Sequence, residues 1–444
     1  MDRSVTIAGM GYVGLTMAAC LAERGVKTVG IDVDRNRLAL LSKGETTIYE
    51  PHLKDMIRKN LVSGNLSFIE DYKVLQESNV TFITVGTPSK TDDSIDLEQV
   101  RIASESIGKE LKTKRDYHLV VVRSTVVPGT SENMIKELIS QNSGKTCSKD
   151  FGLCMNPEFL REGSAVQDMM KPDRIIMGES DKKAGSMLEE FYNKIYSTHM
   201  PKVFRTSLET AEMIKYVNNA FLATKISFIN SIAHLCERTP RTDINIVAEG
   251  LGLDPRISPS FLRAGLGWGG SCFPKDLRSF LTFAQSQNIE LPVISAAMKV
   301  NDIQPILAVE KAKEFLNDLK EKCIAILGLA FKPNTDDVRE AVSLKIINKL
   351  LDEGAYVRAY DPAAIENSKK MFGDQVFFAK SAQECIKGSD CCIIVTEWDE
   401  FKTLHPDDFR KNMRRPFVID GRRIYEPKEF SDNMEYYGIG IGKD

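Results

Sequence analysis

Short apolar runs, each stopped by glycine, proline or a hydroxyl residue, alternate along the first half of the chain with segments whose apolar positions recur at helical spacing. Val5 to Ala8 predicts a strand, Leu15 to Arg24 a helix closed by Gly25, and Val26 to Val33 a second strand. A turn-like insertion, Thr46 to Pro51, precedes a helix over Leu53 to Val62. Strands are then predicted at Asn79 to Pro88, Leu119 to Thr125 and Phe151 to Met155. Runs this apolar are buried on both faces, so the pattern predicts an α/β fold with a parallel, doubly wound sheet. From Thr206 to Arg238 there is neither glycine nor proline, and Thr206 with Glu209 has the spacing of a capping box. One helix of up to ~50 Å is expected there. Its apolar positions (among them Met213, Val217, Phe221, Phe228 and Ile232) cover much of the circumference, as in a spine buried on several sides.

The second half repeats the design. Lys322 to Phe331 reads as a strand and turn, Gly354 to Asp361 matches Gly25 to Asp32, and Ser389 to Thr396 matches Asn79 to Thr87. Two Rossmann-like domains joined by a long central helix are therefore expected, divided as 1–205, 206–300 and 301–444. At 444 residues the chain is long enough for two or three domains. The composition is that of a globular protein, and a net charge of -3 leaves no basic footprint for nucleic acid or an anionic membrane. No signal-peptide core follows Met1 and no apolar run is long enough to span a bilayer, so a cytoplasmic protein is expected. Nine cysteines form no C-x-x-C pair or zinc spacing, which predicts neither disulfides nor a metal. The five histidines (His52, His118, His199, His234 and His405) fall outside every motif, and a histidine base is not indicated.

Gly9, Gly11 and Gly14 spell G-x-G-x-x-G between a strand and a helix, enclosing Tyr12 and Val13. In that context the first glycine makes the turn, the second admits a pyrophosphate and the third packs helix on strand. Asp32, at the end of the next strand, would bind ribose hydroxyls and repel a 2′-phosphate, which predicts NAD over NADP. Strands ending in Thr87 and in Ser124-Thr125 carry hydroxyls where such a sheet meets its ligand, although helix capping explains a hydroxyl there as well. After Phe151 to Met155 comes N-P-E-F-L-R-E-G; Asn156 as cap and Pro157 at the first position predict a helix with Glu158 and Glu162 on one face. Such a pair is ordinarily solvated surface unless it points into a cleft. Lys215 and Asn219 share a face of the spine in an apolar setting, where a lysine is expected to line a cleft.

The strongest chemistry lies in G-L-G-W-G-G-S-C-F-P-K-D, Gly265 to Asp276. It sets Cys272 in a glycine-rich turn with Lys275 and Asp276 beside it, and Pro274 keeps a helix from running through the thiol. Most free cysteines are small buried hydrophobes; an adjacent cation and a stiff exposed turn are what make one a nucleophile. Lys332, Arg339, Arg422 and Arg423 are cations near strand ends of the second repeat, each able to hold a diphosphate or to be plain surface.

Taken together, the glycine fingerprint, N-P-E-F-L-R-E-G, Lys215 with Asn219, G-G-S-C-F-P-K-D and F-K-P-N-T-D-D-V-R-E at Phe331 to Glu340 resemble the UDP-glucose/GDP-mannose dehydrogenase family over nearly the whole chain. The resemblance implies an NAD-binding domain, a central dimerisation region carrying the catalytic cysteine, and a UDP-sugar domain. It further implies a four-electron oxidation in which NAD takes two hydrides from the sugar C6 and Cys272 captures the aldehyde. By the same resemblance Lys215 and Asp276 assist proton transfer, Asn219 holds the developing oxyanion, Thr125 positions a water and Glu158 serves thioester hydrolysis. Gly9, Gly11, Tyr12, Val13, Gly14, Asp32, Arg37, Thr87, Thr125, Glu162 and Lys275 would hold the cofactor. Glu158, Phe159, Leu160, Lys215, Asn219, Phe261, Arg263, Gly269, Phe331, Lys332 and Arg422 would hold the substrate, and Arg256 would reach a neighbouring subunit's site in a homodimer. Ser271 speaks against N-acetylhexosamine substrates, and Phe273 favours UDP-glucose over GDP-mannose or another UDP-hexose. Trp268, where the family commonly has a smaller residue, is expected to alter the sugar or base pocket. A reading of another class, a nucleotide-sugar redox sensor switching on Cys272, would have no need for Lys215, Asn219 and Asp276 beside an intact NAD fingerprint.

Overall fold

The computed structural model describes residues 4–46, 48–197 and 200–442; Met1 to Arg3, Thr47, Thr198, His199, Lys443 and Asp444 lie outside them. The chain divides into two compact units, Met1–Asn218 and Asn219–Asp444.

The first unit is built on an eight-stranded sheet: β1 (Ser4–Ala8), β2 (Thr28–Ile31), β3 (Leu66–Ile69), β4 (Ser78–Ile83), β5 (His118–Val122), β6 (Phe151–Met155), β7 (Arg174–Glu179) and β8 (Lys202–Thr206). The order is β3-β2-β1-β4-β5-β6-β7-β8, and every pairing is parallel except β6 with β7. The order reverses between β1 and β4, where a doubly wound sheet opens a crevice for ligand. Alternation within single strands explains why these runs are so apolar. Leu119 and Val121 of β5 join a core on one face, while Val120 and Val122 join the core on the other.

The second unit repeats the plan with β9 (Cys323–Leu327), β10 (Tyr356–Tyr360), β11 (Val376–Phe378), β12 (Cys391–Ile394), β13 (Phe417–Asp420) and β14 (Glu435–Gly438), in the order β11-β10-β9-β12-β13-β14. All pairings are parallel. A single core of residues such as Ile324, Ile326, Ile347 and Ile393 binds this sheet to its helices.

The central helix Leu208–Glu237 is 30 residues long, about 45 Å. It is capped one residue later than its sequence suggests: Thr206 ends β8, and Ser207 Oγ accepts the Thr210 N–H at 3.2 Å. The extended pairing of Thr206 with Gly178 claims the residue that the capping box required.

Candidate active site

In the first unit the glycine turn has the geometry its spacing predicts. Gly9 has φ +100°, and a Cβ there would sit 2.8 Å from the Val85 backbone. A Cβ on Gly14 would sit 1.9 Å from Gly9 O, whereas one on Gly11 would meet nothing within 4 Å. The middle position is thus the open one, facing the mouth of the cleft. That cleft, about 520 Å³, is lined by Gly9, Gly11, Asp32, Arg37, Val85 and Gly86 among others. Asp32 accepts the Met10 N–H (2.7 Å), the Asp34 N–H (2.9 Å) and Arg37 Nη1 (2.8 Å), so the acid also fixes the turn. An open turn, a buried carboxylate and the helix Tyr12–Glu23 starting at Gly11 fit a dinucleotide. Thr87 is buried on the loop after β4.

The segment after β6 departs from expectation. Residues 156–163 form no helix; the next helix is Ala165–Met170. Tertiary bonds hold the segment in another shape. Lys215 Nζ donates to Glu158 O (2.8 Å) and Glu158 Oε1 (2.7 Å), and Leu160 N donates to Glu158 Oε2 at 2.6 Å. Asn156, instead of capping, accepts Arg123 Nη1 and Tyr192 Oη in the core. Glu158 and Glu162 therefore do not share a helical face: Glu158 is buried and Glu162 half-buried. Burial pushes the Glu158 carboxyl up, but the Lys215 charge and hydrogen bond, the Leu160 N–H and the Arg123 charge outweigh it and hold Glu158 below the usual carboxylate range. Lys215 is buried, with its cation committed to Glu158 and 5.5 Å from the centre of the Phe159 ring. It is a partner in an ion pair, where the sequence suggested an ammonium offered to a ligand.

One residue of this unit went unread. Glu50, buried in the insertion Thr46 to Pro51, accepts the Tyr12 phenol, the Gly163 N–H (2.7 Å) and the Val166 N–H (3.3 Å). It ties the glycine turn to the Glu158 segment. Burial together with Glu50, and more weakly the charge of Glu162, pushes the Tyr12 phenol far up, so it stays a neutral donor. The only hint in the sequence was a carboxylate between Tyr49 and Pro51, too rigid a setting for a solvated surface acid.

In the second unit Cys272 immediately precedes the helix Phe273–Ser286, at its N-terminal end, with Pro274 in the first turn. The thiol thus sits where the helix dipole favours thiolate. Of nine free cysteines Cys272 is the exposed one; Cys323 is intermediate and seven are buried. Burial pushes the Cys20 thiol up to about 12, which leaves it inert. Asp276, buried one turn along, accepts Asn219 Nδ2 and Lys275 Nζ, both at 2.7 Å, and its N–H donates to Cys272 O at 2.8 Å. Lys275 therefore spends charge on Asp276. Asn219 lies four residues after Lys215 on the same helix face.

The glycines of the thiol loop mark close approaches. A Cβ on Gly269 would lie 2.2 Å from Glu340 O, and one on Gly270 (φ +89°) 2.8 Å from the Phe331 ring. Trp268 is buried, bonded to Ser227 Oγ (3.0 Å) and to both sides of Asn301 (2.7 and 2.9 Å), with its ring edge-on to Phe273. It buttresses the loop from behind. Arg422 donates to Val395 O (2.6 Å) and Gly267 O (3.3 Å), and Lys332 lies 5.6 Å from the Phe331 ring centre. Arg423 is no diphosphate ligand: it is buried and forked onto Asp243 at 2.7 and 3.1 Å. Arg339 is forked onto Asp337. Phe261 is exposed with φ +64°, Arg263 reaches Arg423 O at 3.4 Å, and Arg256 is exposed and paired with Asp254.

His118 is in the core, where burial first and the Lys114 charge second lower it to about 3, and His234 bonds Gln304. Among the described residues no cluster of His, Cys, Asp and Glu could hold a metal, and no helix is long and apolar enough to cross a membrane.

The chain matches the UDP-glucose/GDP-mannose dehydrogenase family in all three of its domains: NAD binding over residues 3–196, central over 209–303 and UDP binding over 325–427. It belongs to that family. The chain is 43% identical over 429 residues to the UDP-glucose 6-dehydrogenase AglM of Haloferax volcanii, covering 96% of this chain and 98% of the relative. It is 40% identical to YwqF of Bacillus subtilis, also a UDP-glucose 6-dehydrogenase, covering 98% and 97%. A solved UDP-glucose dehydrogenase from Pyrobaculum islandicum superposes with a TM-score of 0.91 at 37% identity, covering 99% of this chain and 98% of the other. As a member, the chain is an NAD-dependent oxidoreductase.

Proposed function

We propose that this chain oxidises UDP-glucose at C6 to UDP-glucuronate in the cytoplasm, with Cys272 as covalent nucleophile. The observation that carries the covalent step is the placement of one exposed thiol at a helix N-terminus, with Asp276, Asn219 and Lys275 bonded together beside it.

NAD, held by Gly9, Gly11, Tyr12, Val13, Gly14, Asp32, Arg37, Thr87 and Glu162, supplies the hydride acceptor, two per turnover. The C6 alcohol loses a proton and a hydride to become an aldehyde. Cys272 Sγ adds to its carbonyl carbon, and the oxygen takes a proton, held by Asn219 with Lys215 and Asp276 as proton partners. The adduct is an alcohol again and surrenders a second hydride and a proton, leaving a thioester. Water, positioned by Thr125, adds to the thioester, the C–S bond breaks and the thiolate departs. Glu158 takes the water's proton; its ion pair keeps it ionised, the form a base requires.

Residues 1–205 hold the cofactor, 206–300 carry the thiol and 301–444 hold the nucleotide sugar, through Phe331, Lys332 and Arg422 with Phe261, Arg263 and Gly269. The working unit is a homodimer. In support, Met213, Val217, Phe221, Phe228 and Leu235 form an exposed apolar stripe along one face of the central helix.

Stoichiometry over a panel of UDP- and GDP-sugars tests the reading: two NADH per UDP-glucose and a uronic acid are expected. One NADH per sugar, with aldehyde released to a hydrazine trap, would show an ordinary alcohol dehydrogenase on this scaffold.

A further inference from the structure

Glu212, on the central helix one turn before Lys215, is fully buried and takes no part in the chemistry assigned above. Its two oxygens accept two backbone N–H groups from the loop that follows β5, Gly129 N to Oε2 at 2.6 Å and Ser131 N to Oε1 at 2.8 Å. The loop begins at Arg123 and Ser124, whose N–H groups donate to Ile83 O; Ser124 Oγ also donates to Val85 O at 2.7 Å. In between, Val126 is buried in the same core as Leu208 and Ala211 of the helix. Thr125 is therefore carried on a loop pinned at one end to β4 and at the other to Glu212. The next turn of the helix holds the Glu158 segment through Lys215. No lysine or arginine bonds Glu212 among the described residues. The charged groups on the elements beside it are Glu209 and Lys215 on its own helix, the latter paired with Glu158, and the Glu132–Lys136 pair on the element that starts at Ser131. A buried carboxylate without a cation, spent on two loop amides, costs stability unless the loop's position is worth it.

We propose that Glu212 is a positioning residue of the oxidation: its carboxylate fixes the 123–131 loop, and with it Thr125, against the helix that carries Lys215. The inference rests on the reading of Thr125 given above. Burial pushes the Glu212 carboxyl up to about 7, against the opposing hydrogen bonds from Ser131 and Gly129. Protonation turns one oxygen into a hydroxyl, which faces an N–H donor with another donor, so one of the two pins is lost. The loop is held in its working position above about pH 7 and loosened below it.

The test compares wild type, Glu212→Gln, Thr125→Val and the Glu212→Gln/Thr125→Val double variant in three measurements: kcat and KM against pH from 5.5 to 9, amide hydrogen exchange, and thermal melting. Wild type should lose kcat through an inflection near 7. Glu212→Gln keeps one acceptor and places an amide N–H2 opposite the other N–H. It should fold, lose about tenfold or more in kcat at pH 8 with KM for the sugar little changed, and show no inflection near 7. Exchange should rise at residues 123–131 and not elsewhere in the first unit. If Thr125 is what the loop positions, the double variant should be no slower than the slower single one. A Thr125→Val protein at the wild-type rate would remove Thr125 as the water-holding group; the loss of the inflection in Glu212→Gln would still uphold the loop assignment. Glu212→Gln with the wild-type pH profile and kcat, whether or not exchange rises, would reduce Glu212 to a structural residue and overturn the proposal.

Discussion

Cys272 is set apart by exposure, because eight other thiols have similar intrinsic chemistry and only this one combines access with a helix N-terminus. Its replacement should divide the reaction. Cys272→Ala is expected to abolish uronic acid formation while leaving NADH-driven reduction of added UDP-aldehyde measurable, since the first hydride needs no thiol. Cys272→Ser should accumulate a covalent adduct, seen as added mass on the intact protein, because alkoxide is the poorer leaving group. Uronic acid at the wild-type rate from Cys272→Ala would end the assignment. The thiol, the glycine fingerprint and Asp32 were readable because each is a local device, with geometry dictated by neighbours in sequence. Glu50 and the commitment of Lys215 to Glu158 were not, because their partners lie more than 35 residues away. Glu50→Gln tests the first of these. Three donors converge on its carboxylate, so an amide must set a donor against at least one of them, at a cost of about 1–3 kcal/mol in urea unfolding. KM for NAD should rise as the Tyr12 turn loosens; unchanged KM and unchanged stability would show that the three bonds contribute nothing.

Two elements built from continuous apolar runs, β6 and the helix Leu53–Val62, fall on their predicted bounds, whereas β4 ends at Ile83 and β5 at Val122, before the glycine and hydroxyl residues that close their runs. Where a segment's shape depends on a tertiary bond, the local rule lost. Asn156-Pro157 has the chemistry of a helix start, yet Asn156 is drawn into the core by Arg123 and Tyr192, and Glu158 offers its carbonyl to Lys215 rather than to a helical turn. The thiol loop is the opposite case, since its glycines announced a close approach and the structure says to what. Gly269→Ala would drive a methyl into Glu340 O, at 2.2 Å, and the loop must move to relieve it. A displacement of about 1 Å at a reacting group costs on the order of a hundredfold in rate, so kcat should fall by about that factor. NAD affinity should change little, as the first unit is untouched. Wild-type kcat in Gly269→Ala would mean that the loop's position is not what limits turnover.

The duplication of the sheet was readable from two matching strand series, and the structure repeats the 3-2-1-4-5-6 order in both units. Stability of the whole chain should carry the mark of Glu212. A carboxyl whose folded value is raised from 4.5 to about 7 contributes stability that is fully present below about pH 4.5 and is lost as pH rises through about 7. Relative to Glu212→Gln, wild type is thus expected to lose on the order of 3 kcal/mol across that window, read as the pH dependence of the difference between their unfolding midpoints. A difference that does not vary with pH would deny the buried, titrating state.

Apolar helix positions look alike in sequence whether a chain's own core or a second copy covers them. Phe221 is 63% exposed and Phe228 53%, which makes them the residues to change in testing the proposed dimer face. If these residues form the proposed dimer face, changing both to Asp should give a monomer in sedimentation where wild type gives a dimer. Arg256, 87% exposed at the side chain, offers a sharper test. If it completes the partner's site, a mixed dimer of one Cys272→Ala and one Arg256→Ala subunit has one site with both groups intact. Refolding a one-to-one mixture of the two inactive variants should then recover about a quarter of wild-type activity, since about half the dimers are mixed and each has one good site. If Arg256 serves its own subunit, every site in the mixture lacks one group, and the mixture stays as inactive as its parts.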